Sequence, residues 1–294
     1  MDIGKMFNEL PMQSKIFSPN KTLNVRGRLV DLSVPKVMGV INVTPDSFYG
    51  GSRADEKTVL TKAESMLKDG AAFIDLGGYS SRLGADDISV DEELKRVLPA
   101  ITAIHKNFPE AILAIDTFRS EVARLAVEAG ASLVNDISAG KLDPNMMSVV
   151  GQLGVPYLMM HMKGMPQTMN QLATYGNLIK EMVEYFHQQI AKAREAGIKD
   201  IIIDPGFGFA KTVEHNFEIL RQLDCFKIFE RPLLVGLSRK SMIWRTLGIT
   251  PDQALNGTTT LNTLALMRGA SILRVHDVKE AVECVRLVAE LKEG

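Results

Sequence analysis

The sequence has little of what marks secreted, membrane-spanning or nucleic-acid-binding proteins. Its only cysteines, Cys225 and Cys284, are far apart, and two thiols without C-x-x-C spacing are too few for a disulfide scaffold. No apolar stretch approaches the roughly 18 residues of a membrane span, and the opening residues MDIGKMFNELPMQSK lack the apolar segment of a signal peptide. The 34 basic and 35 acidic residues give a net charge of -1, so the positive field that phosphate backbones require is missing. We therefore expect a cytoplasmic protein that binds neither membrane nor nucleic acid.

Several catalytic motifs are also missing. The chain contains no G-x-x-x-x-G-K-[ST], no H-E-x-x-H and no G-x-S-x-G, which excludes a P-loop, a zincin helix and a nucleophile elbow. The segment GFGFAK lacks the third glycine of a dinucleotide-binding loop, and the five histidines are too scattered for a recognisable zinc site.

What the sequence does contain is a repeated unit: a short apolar run, a loop rich in Gly or Asp, and a longer segment with helical periodicity. The runs are VMGVI, AFIDL, AILAI, SLVND, PYLMM, DIIID, PLLVG and SILRV. Strands that alternate with helices pair in parallel, because a parallel crossover needs a connection as long as a helix. About eight such units predict a TIM (β/α)8 barrel, and a doubly wound open sheet is the alternative.

The amino-terminal part has a different pattern. LNVRGRLVDL alternates around Arg26 and Gly27, which predicts a short β-hairpin that plugs or caps another part of the fold. We expect residues 1–20 to be an extension and residues 21–294 to form one barrel domain.

In such barrels the functional residues follow the carboxyl ends of the strands. Asp116, Asn135 and Asp204 stand at strand ends, and buried carboxylates need hydrogen-bond donors. A flat heterocycle with several N–H groups on one edge, such as a 2-amino-4-oxopteridine, supplies them. Taken singly, each acid could instead cap a helix or turn.

A second set is cationic. Arg82, Lys240, Arg274 and His276 follow predicted strands, and guanidinium groups match phosphate oxygens, so this set predicts an anion site. The alternative is a rim of solvated charges. Arg274 fits that alternative poorly, because it lies within the apolar run SILRV.

The same segments resemble the dihydropteroate synthases, in order and along nearly the whole chain from Lys36. The blocks are MGVINVTPDSFYGG, DLGGYSSRLGA, IDTFRSEVA, NDISAG, MHMKGMPQTM, DPGFGFAKTVEHNFEIL, GLSRKSMI, NGTTTLN and ILRVHDV. The resemblance implies an enzyme that condenses a pterin methyl diphosphate with p-aminobenzoate, uses Mg²⁺, and forms a homodimer through its late helices.

Carried over by position, the resemblance also implies the site residues. The pterin set is Asp116, Asn135, Asp204 and Lys240, the diphosphate set is Asn42, Arg82, Arg274 and His276, and Asn42 also holds the metal. The p-aminobenzoate set is Phe48, Ser81, Leu83, Phe209 and Ser241, and the catalytic residues are Lys240, Arg82 and Asp116. In loop two, Tyr79 replaces a carboxylate of the family pattern and Leu83 replaces a proline, which leaves the hydrogen-bond partner of Tyr79 unknown. Two alternatives stay open: a pterin-binding relative with weakened catalysis, and a barrel like the methyltetrahydrofolate methyltransferases.

Overall fold

The structure is a computed structural model that describes residues 21–43, 53–80, 87–165 and 167–291. Its strands are β1 (Thr22–Val25), β2 (Arg28–Asp31), β3 (Lys36–Asn42), β4 (Phe73–Gly77), β5 (Ile112–Asp116), β6 (Leu133–Asp136), β7 (Tyr157–Met160), β8 (Ile201–Asp204), β9 (Leu234–Val235) and β10 (Ile272–Val275). Its helices are α1 (Arg53–Lys68), α2 (Val90–Asn107), α3 (Ser120–Ala129), α4 (Met146–Leu153), α5 (Leu178–Glu195), α6 (Val213–Arg221), α7 (Ser241–Leu247), α8 (Leu255–Met267) and α9 (Val278–Glu290). Each of the eight predicted apolar runs overlaps one strand of the main sheet.

The eight strands β3 to β10 form a closed barrel. They lie in the order β8-β7-β6-β5-β4-β3-β10-β9, and every neighbouring pair is parallel. The two ends of this order meet, because Ile203 of β8 bridges to Leu233 and its N–H donates to Pro232 O at 3.0 Å. The TIM-barrel prediction is therefore confirmed and the open-sheet alternative is wrong.

The predicted hairpin is β1 and β2, which pair antiparallel. Arg26 and Gly27 both have positive φ, 52° and 81°, as a tight two-residue hairpin turn requires. The buried side chains of the hairpin, Leu23, Val25, Val30 and Leu32, share one apolar cluster with the barrel interior. The hairpin thus closes the amino-terminal end of the barrel and leaves the opposite end as the mouth.

Side-chain alternation along the strands positions the site. Met38, Phe73, Ala114, Leu133, Leu158, Ile202, Leu234 and Ile272 face the barrel interior and pack on the hairpin. Because side chains of one strand repeat a face every second residue, the next inward layer consists of Val40, Asp75, Asp116, Asn135, Met160, Asp204, Gly236 and Arg274. The intervening residues pack outward against the helices in the main core. The barrel therefore has an apolar lower layer and a mostly polar layer directly above it.

The helices cover the outside of the barrel, and four of them end near glycines that the sequence marks as termini. Gly70, Gly130, Gly197 and Gly269 all have positive φ, as a helix C-terminus favours. Within the described ranges, no helix is both long and apolar enough to cross a membrane.

Candidate active site

Arg274 holds the polar layer together. Its Nε lies 2.6 Å from Asp75 Oδ2, and its Nη2 lies 2.7 Å from Asp116 Oδ2. Burial lowers the pKa of Arg274, but the carboxylates of Asp75 and Asp116 raise it above its ordinary value overall. The Arg274 side chain therefore points into the barrel, where its guanidinium contacts two acids, and the solvated-rim alternative is wrong for this residue.

Asn135 and Asp204 present oxygens in the same layer. Asn135 Nδ2 donates to Asp75 Oδ2 at 3.0 Å. Asp204 Oδ1 accepts from Gly206 N at 2.7 Å, so the turn interpretation of Asp204 holds for one of its two oxygens. For Asp116 the helix-cap interpretation is wrong, because α3 has no side-chain cap from its preceding residues and the N–H of Ser120 donates to Asp143 Oδ2 instead.

Burial shifts the titration of both carboxyl groups. It raises the pKa of Asp116 to about 7, against the opposing effect of Arg274 and with reinforcement from Asp75 and Glu93. Burial also raises the pKa of Asp204, although the ammonium of Lys240 opposes it. Perturbed carboxyl groups that converge at one mouth are a feature of functional sites.

Lys240 follows β9 and points to the mouth. Its Nζ donates to Phe207 O and lies 4.8 Å from the centroid of the Phe209 ring. Burial lowers the pKa of Lys240 to about 8, while Asp204 and Asp116 counteract it. The preceding Arg239 does not join the site, because its guanidinium is bound elsewhere. Its Nε and Nη2 donate to the two Asp277 carboxylate oxygens, each at 2.9 Å, and its Nη1 donates to the carbonyls of Pro251 and Asp252.

His276 follows β10 beside the loop after β9. Its Nδ1 lies 3.1 Å from Ser238 Oγ, and its backbone N–H donates to the same hydroxyl at 3.2 Å. Ser238 thereby contacts both the ring and the backbone of His276, two residues after Arg274 in the chain.

An apolar cluster also lies at the mouth. Phe118, Ile137, Met160 and Met162 form a buried cluster against which Tyr79, Leu142 and Phe209 pack. We call these seven residues the mouth cluster. A flat ring that binds the polar layer would have this cluster beside it, and apolar walls with a few convergent polar groups are typical of small-molecule sites.

The partner of Tyr79 is now evident. Its ring meets Phe118 edge-on with centroids 5.0 Å apart, and its hydroxyl accepts from Gln167 Nε2. Since β5 and β6 separate β4 from β7 in the barrel, this hydrogen bond joins two non-adjacent loops over the mouth cluster. Aromatic contact and an amide donor take the place of the missing carboxylate.

Comparison with known proteins decides the family. Residues 38–276 match the family model described as pterin binding enzyme. The chain is 43% identical to the dihydropteroate synthase of Escherichia coli (strain K12) over 269 residues, 90% of this chain and 95% of the relative. The chain belongs to the dihydropteroate synthase family.

Solved structures agree with this assignment. The Yersinia pestis dihydropteroate synthase in a sulfonamide drug complex has a TM-score of 0.87 and 40% identity, and the match covers 93% of this chain and all (100%) of the other. The Xanthomonas albilineans enzyme with 4-aminobenzoic acid has a TM-score of 0.86 and 36% identity, covering 92% and 98%.

With the family established, each predicted site residue can be located. The barrel brings Asp116, Asn135, Asp204, Lys240, Arg274 and Phe209 together at the mouth. Asn42 ends β3 and is half-buried, His276 follows β10, and Ser241 is the first residue of α7. Phe48, Ser81, Arg82 and Leu83 lie outside the described residues, so their roles stay predictions.

Asp75 is the site residue that the sequence analysis did not select. It lies within the run AFIDL, which was interpreted as an apolar strand, and its side chain is 0% exposed. The signal was present, because an acid inside a buried strand requires a cationic or hydrogen-bonding partner. Arg274 and Asn135 are those partners.

Proposed function

We propose that the chain catalyses the reaction of its family: it joins a pterin methyl diphosphate to p-aminobenzoate and releases pyrophosphate. One observation carries this proposal. The acceptor-bearing residues Asp116, Asn135 and Asp204 lie in the same layer as Arg274 and beside Lys240, so one mouth offers acceptors for an N–H-rich ring and cations for an anion.

The acceptors suit the pterin. A 2-amino-4-oxopteridine carries its N–H donors on one edge. A hydrogen bond from a neutral N–H group to a carboxylate is stronger than one between two neutral groups. The mouth cluster supports the face of the ring, and Lys240, which lies near Asp204, can donate to a ring acceptor.

The cations suit the leaving group. Loss of pyrophosphate from the pterin methylene leaves a resonance-stabilised cation and a polyanion. Arg274 and His276 would hold the departing diphosphate, together with Arg82, while the carboxylates of Asp116 and Asp204 favour positive charge on the pterin side. The attacking amine of p-aminobenzoate is neutral near physiological pH, so no strong base has to be supplied.

Phe209 and Ser241 are proposed to contact the p-aminobenzoate, because both lie close to Lys240. Phe209 belongs to the mouth cluster and packs under the Lys240 ammonium. Ser241 directly follows Lys240 at the start of α7. Phe48, Ser81 and Leu83 are proposed partners on sequence grounds alone.

Asn42 is proposed to bind Mg²⁺ together with the substrate diphosphate. The described residues contain no group of three or more His, Cys, Asp or Glu side chains that could hold a metal, which fits an ion carried largely by phosphate oxygens. Mg²⁺ is typically bound through one or two protein oxygens plus substrate phosphates, and the half-buried amide of Asn42 at the end of β3 can supply one. When bound, the ion neutralises charge on the departing diphosphate.

Pyrophosphate release tests the proposal. The purified protein is incubated with 6-hydroxymethyl-7,8-dihydropterin diphosphate and Mg²⁺, with and without p-aminobenzoate, and both pyrophosphate and dihydropteroate are measured. We expect release that depends on p-aminobenzoate. Tight binding without turnover would favour the weakened pterin-binding alternative, and methyl transfer from methyltetrahydrofolate would favour the methyltransferase-like one.

We also propose that the chain works as a homodimer in the cytoplasm. Supporting the dimer, the late helices expose apolar side chains: Leu247, Leu264, Met267, Leu287 and Leu291. Clustered exposed apolar residues are typical of protein interfaces. Light scattering of the wild-type protein and of Met267→Glu tests the dimer, and a monomeric wild type would refute it.

The proposed cytoplasmic location is supported by the cysteines, because both are free thiols.

A further inference from the structure

Asp75 belongs to the polar layer of the barrel and is fully buried. Its Oδ2 accepts from Arg274 Nε at 2.6 Å and from Asn135 Nδ2 at 3.0 Å. Its Oδ1 is buried without a hydrogen-bond partner among the described residues. Burial of a carboxylate costs folding free energy. The position of Asp75, with one oxygen bound by two functional side chains, therefore indicates a role beyond filling the core.

The bond to Asn135 fixes which end of the amide faces the ligand. A side-chain amide has one accepting and one donating end, and the two can exchange by a flip of the group. The carboxylate of Asp75 forms an ion pair with Arg274 and therefore only accepts, so the NH2 end of Asn135 must face it. The carbonyl Oδ1 is left for the pocket, and no donor within the described parts of the chain binds it.

With this orientation of the Asn135 amide, the pocket-facing groups of Asp116, Asn135 and Asp204 are all hydrogen-bond acceptors. Asp116 and Asp204 are carboxylates of the same layer, and each has one oxygen bound within the protein, to Arg274 and to the Gly206 N–H respectively, which leaves the second oxygen for a ligand. With Asn135 held in this orientation, three neighbouring groups all offer acceptors. If the amide flipped, a donor would stand between the acids and would oppose the N–H groups of the ligand.

We infer that Asp75 is a specificity-determining positioning residue, which locks the Asn135 amide so that the pocket accepts a 2-amino pterin and rejects its 2-oxo counterpart. The inference rests on the proposed function, because it concerns the ring edge that the pocket reads. Asp75 acts here through Asn135 and not by contact with the ligand.

The test compares two ligands that differ at the 2-position. Calorimetry measures the affinity of 6-hydroxymethylpterin and of 6-hydroxymethyllumazine, whose 2-oxo group replaces the amino donor by an acceptor. The proteins are the wild type, Asp75→Asn, Asn135→Ala and the double variant. In Asp75→Asn the new amide can donate or accept, so Asn135 is free to flip.

We expect the wild type to prefer the pterin by about tenfold or more, because an acceptor that faces an acceptor leaves hydrogen bonds unmade. In Asp75→Asn this preference should fall by about three- to tenfold. In the Asn135→Ala background, Asp75→Asn should change the preference no further, because the amide through which it acts is gone. Equal weakening of both ligands in Asp75→Asn, with an unchanged ratio, would show a purely structural role and overturn the inference.

Should Asp75→Asn fail to fold, the wild-type protein still decides the matter by NMR. The side-chain amide signals of Asn135, assigned by their loss in Asn135→Ala, should include one proton that is shifted downfield and protected from exchange before and after pterin binds. Two unprotected protons would overturn the inference. Failure of the proposed function looks different, since the wild type would then form no dihydropteroate, whatever its preference between the two ligands.

Discussion

Replacement of Lys211 by methionine should destabilise the protein through one loop. Lys211 follows the loop after β8, is only 7% exposed, and its Nζ lies 2.9 Å from Gly206 O, 2.9 Å from Phe209 O and 3.2 Å from His161 O. The same nitrogen is 3.0 Å from His161 Nδ1. One side chain therefore ties the loops after β7 and β8 together beneath the mouth.

The magnitude follows from the acceptors left behind. Methionine keeps the length and apolar volume of the lysine stem but donates no hydrogen bond. The carbonyls of His161 and Phe209 then lose this donor, whereas Gly206 O still accepts from the Phe209 N–H at 3.1 Å. Each such loss costs about 1–3 kcal/mol. Burial of an ammonium is itself unfavourable, and burial lowers the pKa of Lys211 well below its ordinary value although Asp204 opposes this. We therefore take the lower end for each of these two carbonyls and expect a loss of about 2 kcal/mol in unfolding free energy.

Urea unfolding measures this value, and Lys163→Met is the matched control. Lys163 also donates to a carbonyl, Thr174 O, and to Glu181, but its side chain is 32% exposed, so water can replace it and the loss should stay below about 1 kcal/mol. Because Phe209 sits in the tethered loop, Lys211→Met should also raise the KM for p-aminobenzoate. A stability loss no larger than that of the control would refute the reasoning.

Three further predictions concern the mouth. Arg274→Ala leaves two buried carboxylates unpaired and should cost about 3–5 kcal/mol of stability; calorimetry should also show weaker binding of bare 6-hydroxymethyl-7,8-dihydropterin, and an effect confined to the diphosphate ester would contradict this. Affinity for that bare pterin should rise with pH through about 7 as Asp116 ionises and fall above about 8 as Lys240 loses its proton. In Asp116→Asn the rise in affinity near pH 7 should be missing. A wild-type affinity that does not change with pH would show that neither group takes part in binding. Tyr79→Phe keeps the ring contact but loses the bond to Gln167, so melting should report a loss of about 1 kcal/mol, and Tyr79→Ala should lose more; equal losses would discount the aromatic contact.

The sequence by itself determined the repeating unit and the strand ends at which site residues stand. The apolar runs are short and each is followed by a loop, so each formed a strand, and position at the strand ends marked Asp116, Asn135, Asp204 and Arg274. The hairpin was equally local, because Arg26 and Gly27 form its turn. These properties depend on neighbours only a few residues away, which is why a linear pattern reveals them.

The tertiary structure decided which of these residues meet and in what state. Closure of the barrel pairs Arg274 with Asp75, which is 199 positions earlier in the chain, and no periodicity encodes a contact of that separation. The same closure excludes water, and burial is the main reason that the pKa values of Asp116 and Lys240 move towards neutrality. Asp75 was hidden in an apolar run for the same reason: its importance lies in the partners that the closed barrel brings to it.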